Sequence, residues 1–205
     1  MKCLAPAQKN QIELLNEDLK RWYYGAGRSC YRLRGKISLD RLKTQSGWPK
    51  LQNKVASTRH LSGYCLDLCK RYNSGTEHDA RRLAIVQLLH RFYEVLEQGD
   101  FFLSESALRE LAEIGPNLVI LYNALSTEAA ALGVRSWKFS PKFHLWVHLC
   151  EDQARILNPK HFWCYGDEDL VGKVIKISQS VHTNNVADAA IYKWLLLHCE
   201  QGAVG

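Results

Sequence analysis

The chain has 205 residues, 46% hydrophobic and 23% charged, with a formal net charge of +6. That length holds one sizeable core or two small ones, and no run of roughly 18 uncharged apolar residues is present to span a membrane. Seven cysteines (Cys3, Cys30, Cys65, Cys69, Cys150, Cys164 and Cys199), odd in number and without C-x-x-C spacing, indicate neither a disulfide framework nor a zinc knuckle.

The N-terminal MKCLAPAQKN turns polar before any hydrophobic stretch of signal-peptide length. A soluble intracellular protein, nuclear or cytoplasmic, with no membrane partner is the expectation. The first helix is predicted from about Gln8 to Tyr24, with Ile12, Leu15, Leu19 and Trp22/Tyr23 at helical spacing, and Gly25-Ala26-Gly27 ends it. From Arg28 to Lys54, Gly35, Gly47 and Pro49 interrupt any long period, leaving loops and a short helix around Leu39–Lys43.

A helix is predicted from about Lys54 to Tyr72, after which Asn73-Ser74-Gly75-Thr76 supplies a loop and an N-cap. Ile85, Leu88/Leu89, Phe92 and Val95/Leu96 then form a continuous apolar stripe. Ser104 caps the following element, which Gly115-Pro116 is expected to break or kink before Leu118, Leu121, Leu125 and Leu132 resume the stripe. Ser140-Pro141 starts another helix with Phe143, Trp146/Val147, Cys150, Ala154 and Leu157 on its buried face, and Asn158-Pro159 closes it.

Asp167 is placed to cap a helix carrying Leu170, Val174, Ile177 and Val181, and Asn184-Asn185 opens a last one. Strand signals are weak throughout. The predicted architecture is all-α, a multi-helix bundle with a basic, loop-rich N-terminal third: residues 1–53 as basic helix and loops, 54–205 as the helical domain.

Charge is uneven along this plan. Residues 1–60 carry 13 Lys/Arg against 4 Asp/Glu, a net +9, whereas residues 61–205 carry 14 against 17, a net −3. Arg28, Arg32, Arg34, Lys36, Arg41, Lys43, Lys50, Lys54 and Arg59 are interleaved with Tyr31 and Trp48, downstream of Trp22, Tyr23 and Tyr24. Cations attract phosphate and aromatic rings stack on unpaired bases, so this segment is the candidate nucleic-acid contact. Equally, it reads as a solvated basic loop anchored by its aromatics, or as a surface for an acidic protein.

The other concentration of chemistry runs from Pro141 to Gly172. His144 and His148 are four apart and share a helix face, where they can meet one ion or one phosphate. The polar stripe continues through Glu151 and Arg155, which leaves half-buried, hydrogen-bonding histidines as the plainer reading. A zinc site would want a third ligand such as His161 or Glu168. HEXXH order is absent because positions 145 and 146 are Leu and Trp. Asp167, Glu168 and Asp169 suit a divalent ion, with Glu168 and Asp169 the candidate metal ligands and Glu168 the candidate catalytic carboxylate. Acids in a first turn are also what the helix dipole favours. Cys65 and Cys69 share a helix face, but two further metal ligands are not evident nearby.

The string Pro141-Lys142-Phe143-His144-Leu145-Trp146-Val147-His148-Leu149, the aromatic turn Phe162-Trp163-Cys164-Tyr165, and Glu168-Asp169-Leu170-Val171-Gly172 together resemble the C-terminal part of eukaryotic DDE transposases of the Kyakuja-Dileera-Zisupton group. Lys54-Val55-Ala56-Ser57-Thr58-Arg59-His60-Leu61 is similar to sequence from algal mobile-element proteins, and the resemblance covers about residues 50–180. It implies that Glu168 holds the place of the last acid of an RNase H-like triad. The two earlier aspartates would lie on strands, and Asp40, Asp67, Asp79 and Asp100 do not follow β-branched runs.

Three functions follow as expectations. The first is a mobile-element-derived nucleic-acid-binding protein without catalysis of its own and without a cofactor, binding DNA ahead of RNA. The second is a fragment or subunit of a metal-dependent strand-transferase or nuclease in which Glu168 holds Mg²⁺. The third is a helical protein-interaction module. An apolar face left uncovered by a truncated fold would favour self-association.

Overall fold

The computed structural model describes residues 6–25, 32–33, 35–42, 47–51, 55–163, 175–180, 185–186, 188–189, 191–193 and 195–196. Two compact units divide the chain, Met1–His161 and Phe162–Gly205. Among the described residues the fold is all-α and contains no strand. The first unit comprises α1 (Pro6–Gly25), α2 (Leu39–Leu42), α3 (Val55–His60), α4 (Ser62–Arg71), α5 (Glu77–Gln98), α6 (Glu105–Ala131), α7 (Lys142–His148) and α8 (Ala154–Ile156). A π-helical turn, Leu149–Gln153, joins α7 to α8, and a 3₁₀ turn, Pro159–His161, follows. In the second unit residues 175–179 are helical, and Lys193 Nζ donates to Ser180 Oγ at 3.2 Å.

The centre of the first unit is the hairpin of α5 and α6. Thr76 caps α5 by accepting the Asp79 amide through Oγ1, and Ser104 caps α6 by accepting the Ala107 amide, each satisfying an otherwise orphaned donor. Phe92, Val95 and Leu96 from late α5 meet Leu108, Leu111 and Ile114 from early α6. Ile85 from earlier in α5 meets Leu118 and Leu125 further along α6, so the two helices run antiparallel. The predicted stripes form this seam, except that Leu132 sits at the end of α6 and is 71% exposed.

Two sequence-based expectations are corrected. Of the break or kink expected at Gly115-Pro116, the break does not occur, and helix α6 continues to Ala131. Pro116 removes one backbone donor, while Leu111, Ile114, Gly115 and Leu118 around it are all buried. Tertiary packing therefore outweighs the missing hydrogen bond. The helix predicted over 54–72 is instead two, because at Leu61 the backbone tightens, its amide bonding Thr58 O at 3.1 Å. This turn lets α4 approach closely: a side-chain carbon at Gly63 would lie 3.3 Å from the Trp22 ring on α1 and 3.6 Å from His90 on α5.

A second core joins Leu19 and Tyr23 of α1 to Ile37, Leu61 and Tyr64. At its edge Tyr64 Oη donates to Asp18 Oδ2 at 2.9 Å, and Arg71 donates to both Asp18 oxygens at 3.0 and 2.6 Å. The bidentate Arg71 contact, supported by Tyr64, holds the Asp18 carboxyl below the usual carboxylate range. A lowered folded-state pKa contributes stability that is present above the unfolded value of about 4 and is lost as pH falls through the folded value. Asp18→Asn is therefore expected to melt below the native chain at pH 7, with the gap narrowing as pH falls below about 4, measured by paired thermal melts. A gap that stays constant with pH would refute the assignment.

Candidate nucleic-acid interface

The basic N-terminal third is organised by one asparagine and one tyrosine on α1. Asn16 Oδ1 accepts the Ile37 amide at 2.7 Å, while Asn16 Nδ2 donates to Ile37 O at 2.9 Å and to Ile12 O at 2.8 Å. About two turns further along, Tyr23 Oη accepts the Leu33 amide at 3.1 Å. A non-helical segment is thus pinned to α1 at two points, with Leu33 and Ile37 turned to the core. Gly35, between them, has φ of +74°, a conformation that disfavours any residue with a Cβ.

Because the anchors face inward, Arg32 and Lys36 are left exposed. They border a cleft of about 530 Å³ that Lys20, Tyr23 and Tyr24 also line. Tyr24 is 72% exposed, and the Arg32 guanidinium stands 5.7 Å from the centre of the Tyr23 ring. Glu13 and Glu17 line the same cleft, so these three cations and two carboxylates leave a modest positive excess.

The other basic candidates have different settings. Arg41 is half-buried and donates to Lys36 O at 3.0 Å, bracing the segment. Lys50 is exposed, and its amide bonds Leu42 O at 2.8 Å. Arg59 pairs with Glu97 on α5, and its side chain is only 15% exposed. Arg59 Nη2 lies 2.9 Å from His60 Nε2, and burial together with Arg59 lowers the His60 pKa. His60 Nε2 therefore accepts from the guanidinium as a neutral ring. Trp48, a candidate base-stacking ring, lies 6.0 Å from Lys138 Nζ. Arg28, Arg34, Lys43 and Lys54 lie outside the described residues.

Glu168 and Asp169 also lie outside the described residues, as does Asp167. His144 and His148 are at the exposed surface of α7, with Nε2 atoms 3.0 Å apart. His148 Nδ1 is 2.5 Å from Asp152 Oδ2. His161 is not with them; its ring packs on Phe101 at 4.9 Å. Among the described residues no three His, Cys, Asp or Glu side chains are grouped to hold an ion. Cys65 is exposed, Cys69 intermediate and Cys150 buried, and burial pushes the Cys150 thiol up to about 12.

Sequence reasoning missed the Asn16 clamp, since its partner is 21 residues away. It also missed Asn158, treated as a helix stop although it is fully buried and binds three carbonyls some 60 residues upstream. No helix among the described residues is long and apolar enough to cross a membrane. No family model, no curated protein and no solved structure matches the chain.

Proposed function

We propose that the chain is a nucleic-acid-binding protein derived from a mobile element, without catalysis of its own, that takes DNA ahead of RNA. The observation that supports this reading is the clamp on α1. By pinning Leu33 and Ile37 it holds Arg32 and Lys36 outward beside Lys20, with the exposed ring of Tyr24 in the same cleft. Phosphate oxygens would meet the three cations, and an unpaired base would stack on Tyr24.

Fluorescence-anisotropy titration of labelled single- and double-stranded DNA and RNA tests the reading. For duplex DNA, three neutralised phosphates give a slope of log affinity on log salt of about −3. Arg32→Ala with Lys36→Ala should weaken binding of every sequence and make that slope shallower by about 2. Affinity and slope unchanged in this double variant would overturn the assignment of the cleft. The strand-transferase reading rests on Glu168 and Mg²⁺, and metal-dependent cleavage lost in Glu168→Ala would replace the binder with the enzyme. Absence of binding and cleavage would leave the protein-interaction module.

A further inference from the structure

We propose that His144 and His148 form a two-imidazole site for a borderline transition-metal ion, of the class Cu²⁺, Ni²⁺ or Zn²⁺, with Asp152 as the residue that orients His148. The spacing of four on α7 puts both rings on one helix face. Their Nε2 atoms converge to 3.0 Å, with ring planes at 81°. Two donors each about 2.1 Å from one ion, at angles near 90–110°, stand about 3.0–3.4 Å apart, so the separation already fits adjacent coordination positions.

Protonation supports the same assignment. A carboxylate accepts only, so Asp152 Oδ2 at 2.5 Å places a proton on His148 Nδ1, and in the neutral ring the lone pair is then on Nε2. This is the carboxylate–histidine arrangement that fixes the tautomer and ring orientation of a metal ligand. Without an ion, His144 Nε2–H donates to that lone pair. On coordination His144 presents its own Nε2 lone pair and carries its proton on Nδ1, a tautomer exchange through solvent that releases no proton.

The site is open, the His148 side chain being 45% exposed and Asp152 64%. Water supplies the remaining coordination positions, and with two protein ligands the order of affinity should follow the intrinsic one, Cu²⁺ above Ni²⁺ and Zn²⁺. Nitrogen donors also set the site apart from one for Mg²⁺, which prefers oxygen. The site lies on α7 and uses none of the cations of the basic cleft, so it does not rest on nucleic-acid binding.

The test uses the full chain with thiols blocked by N-ethylmaleimide, since Cys65 and Cys69 would otherwise compete. Titration with Cu²⁺ and with Ni²⁺ should give one site. The Cu²⁺ electron paramagnetic resonance spectrum should carry hyperfine structure from two nitrogens. His144→Ala and His148→Ala should each weaken Ni²⁺ binding at least tenfold and remove one nitrogen coupling, and Asp152→Asn should weaken it about tenfold with both couplings kept. These side chains are at the surface, and unchanged far-UV circular dichroism would verify that the variants fold. Equal stoichiometry and affinity in the native chain and in the His144→Ala/His148→Ala double variant would overturn the proposal.

Discussion

Asn158→Ala is expected to destabilise the first unit by about 3 kcal/mol, the loss of several hydrogen bonds made by a fully buried side chain. Asn158 is 0% exposed. Its Nδ2 donates to Leu96 O at 2.9 Å, Gly99 O at 3.3 Å and Asp100 O at 2.9 Å, and its Oδ1 accepts the Lys160 amide at 3.1 Å. Its own amide donates to Phe101 O at 3.0 Å. The last four carbonyls of a helix have no partner within it. Asn158 supplies one for Leu96 at the end of α5, and Lys160 Nζ donates to Glu97 O at 3.2 Å, where a cation also favours the helix dipole. Alanine keeps the backbone contact but strands the buried Leu96 carbonyl, whereas Gly99 O still accepts from Lys160 Nζ. Asn158→Asp should be worse, because a buried carboxylate facing carbonyl oxygens brings repulsion as well as lost donors. For a domain of this size about 3 kcal/mol corresponds to a fall in Tm of roughly 6–12 °C. Urea denaturation followed by tryptophan fluorescence gives the free energy directly. A loss below 1 kcal/mol, or an aspartate variant as stable as alanine, would show that the asparagine is not the cap.

The contrast between Asn158 and Thr76 explains what could be read from the chain. Thr76 and Ser104 cap amides three residues away, and that signal is contained in four letters of sequence. The stripes Ile85–Leu96 and Leu108–Leu125 are likewise periodic and local. Asn158 reaches Leu96, 62 residues distant, and Arg59 reaches Glu97, 38 distant, and no local pattern encodes either partner. Pro116 shows the opposite case: of the break or kink that the local rule allowed, burial of α6 on both sides excludes the break.

The histidine face lies on the local side of that contrast. The pair itself was legible, since four-residue spacing is all that it needs. Its carboxylate is four residues further on, at Asp152 rather than at the Glu151 of the polar stripe, so the same spacing places it as well. What periodicity does not announce is the π turn, Leu149–Gln153, that follows the pair. In the basic third, composition marked the segment, but which cations share a cleft depended on Asn16 and Tyr23 pinning Leu33 and Ile37.

Gly115→Ala is expected to destabilise the first unit by up to about 2 kcal/mol, although the same change at an exposed helical position would stabilise by about 1 kcal/mol. A Cβ at Gly115 would stand 2.8 Å from Cys150 Cβ and 3.3 Å from its Sγ. Cys150 is 1% exposed and lies in the π turn, so the obstacle is an atom fixed to the backbone and α6 and that turn must separate. Overpacking of this kind costs about 1–3 kcal/mol before the propensity gain is subtracted. Trp146 Nε1, which donates to Gly115 O at 3.2 Å, would be displaced with the same turn. Cys150→Ala in the same chain should give no rescue, because alanine retains the Cβ at the closest contact and only Sγ is removed. Rescue by Cys150→Ala would mean that the sulfur sets the spacing. A Gly115→Ala chain more stable than the native one would mean that the helices part freely. Separation of α6 from the π turn would also shift Asp152 relative to His148, so Ni²⁺ affinity at the histidine pair should fall in Gly115→Ala, a substitution that touches neither imidazole.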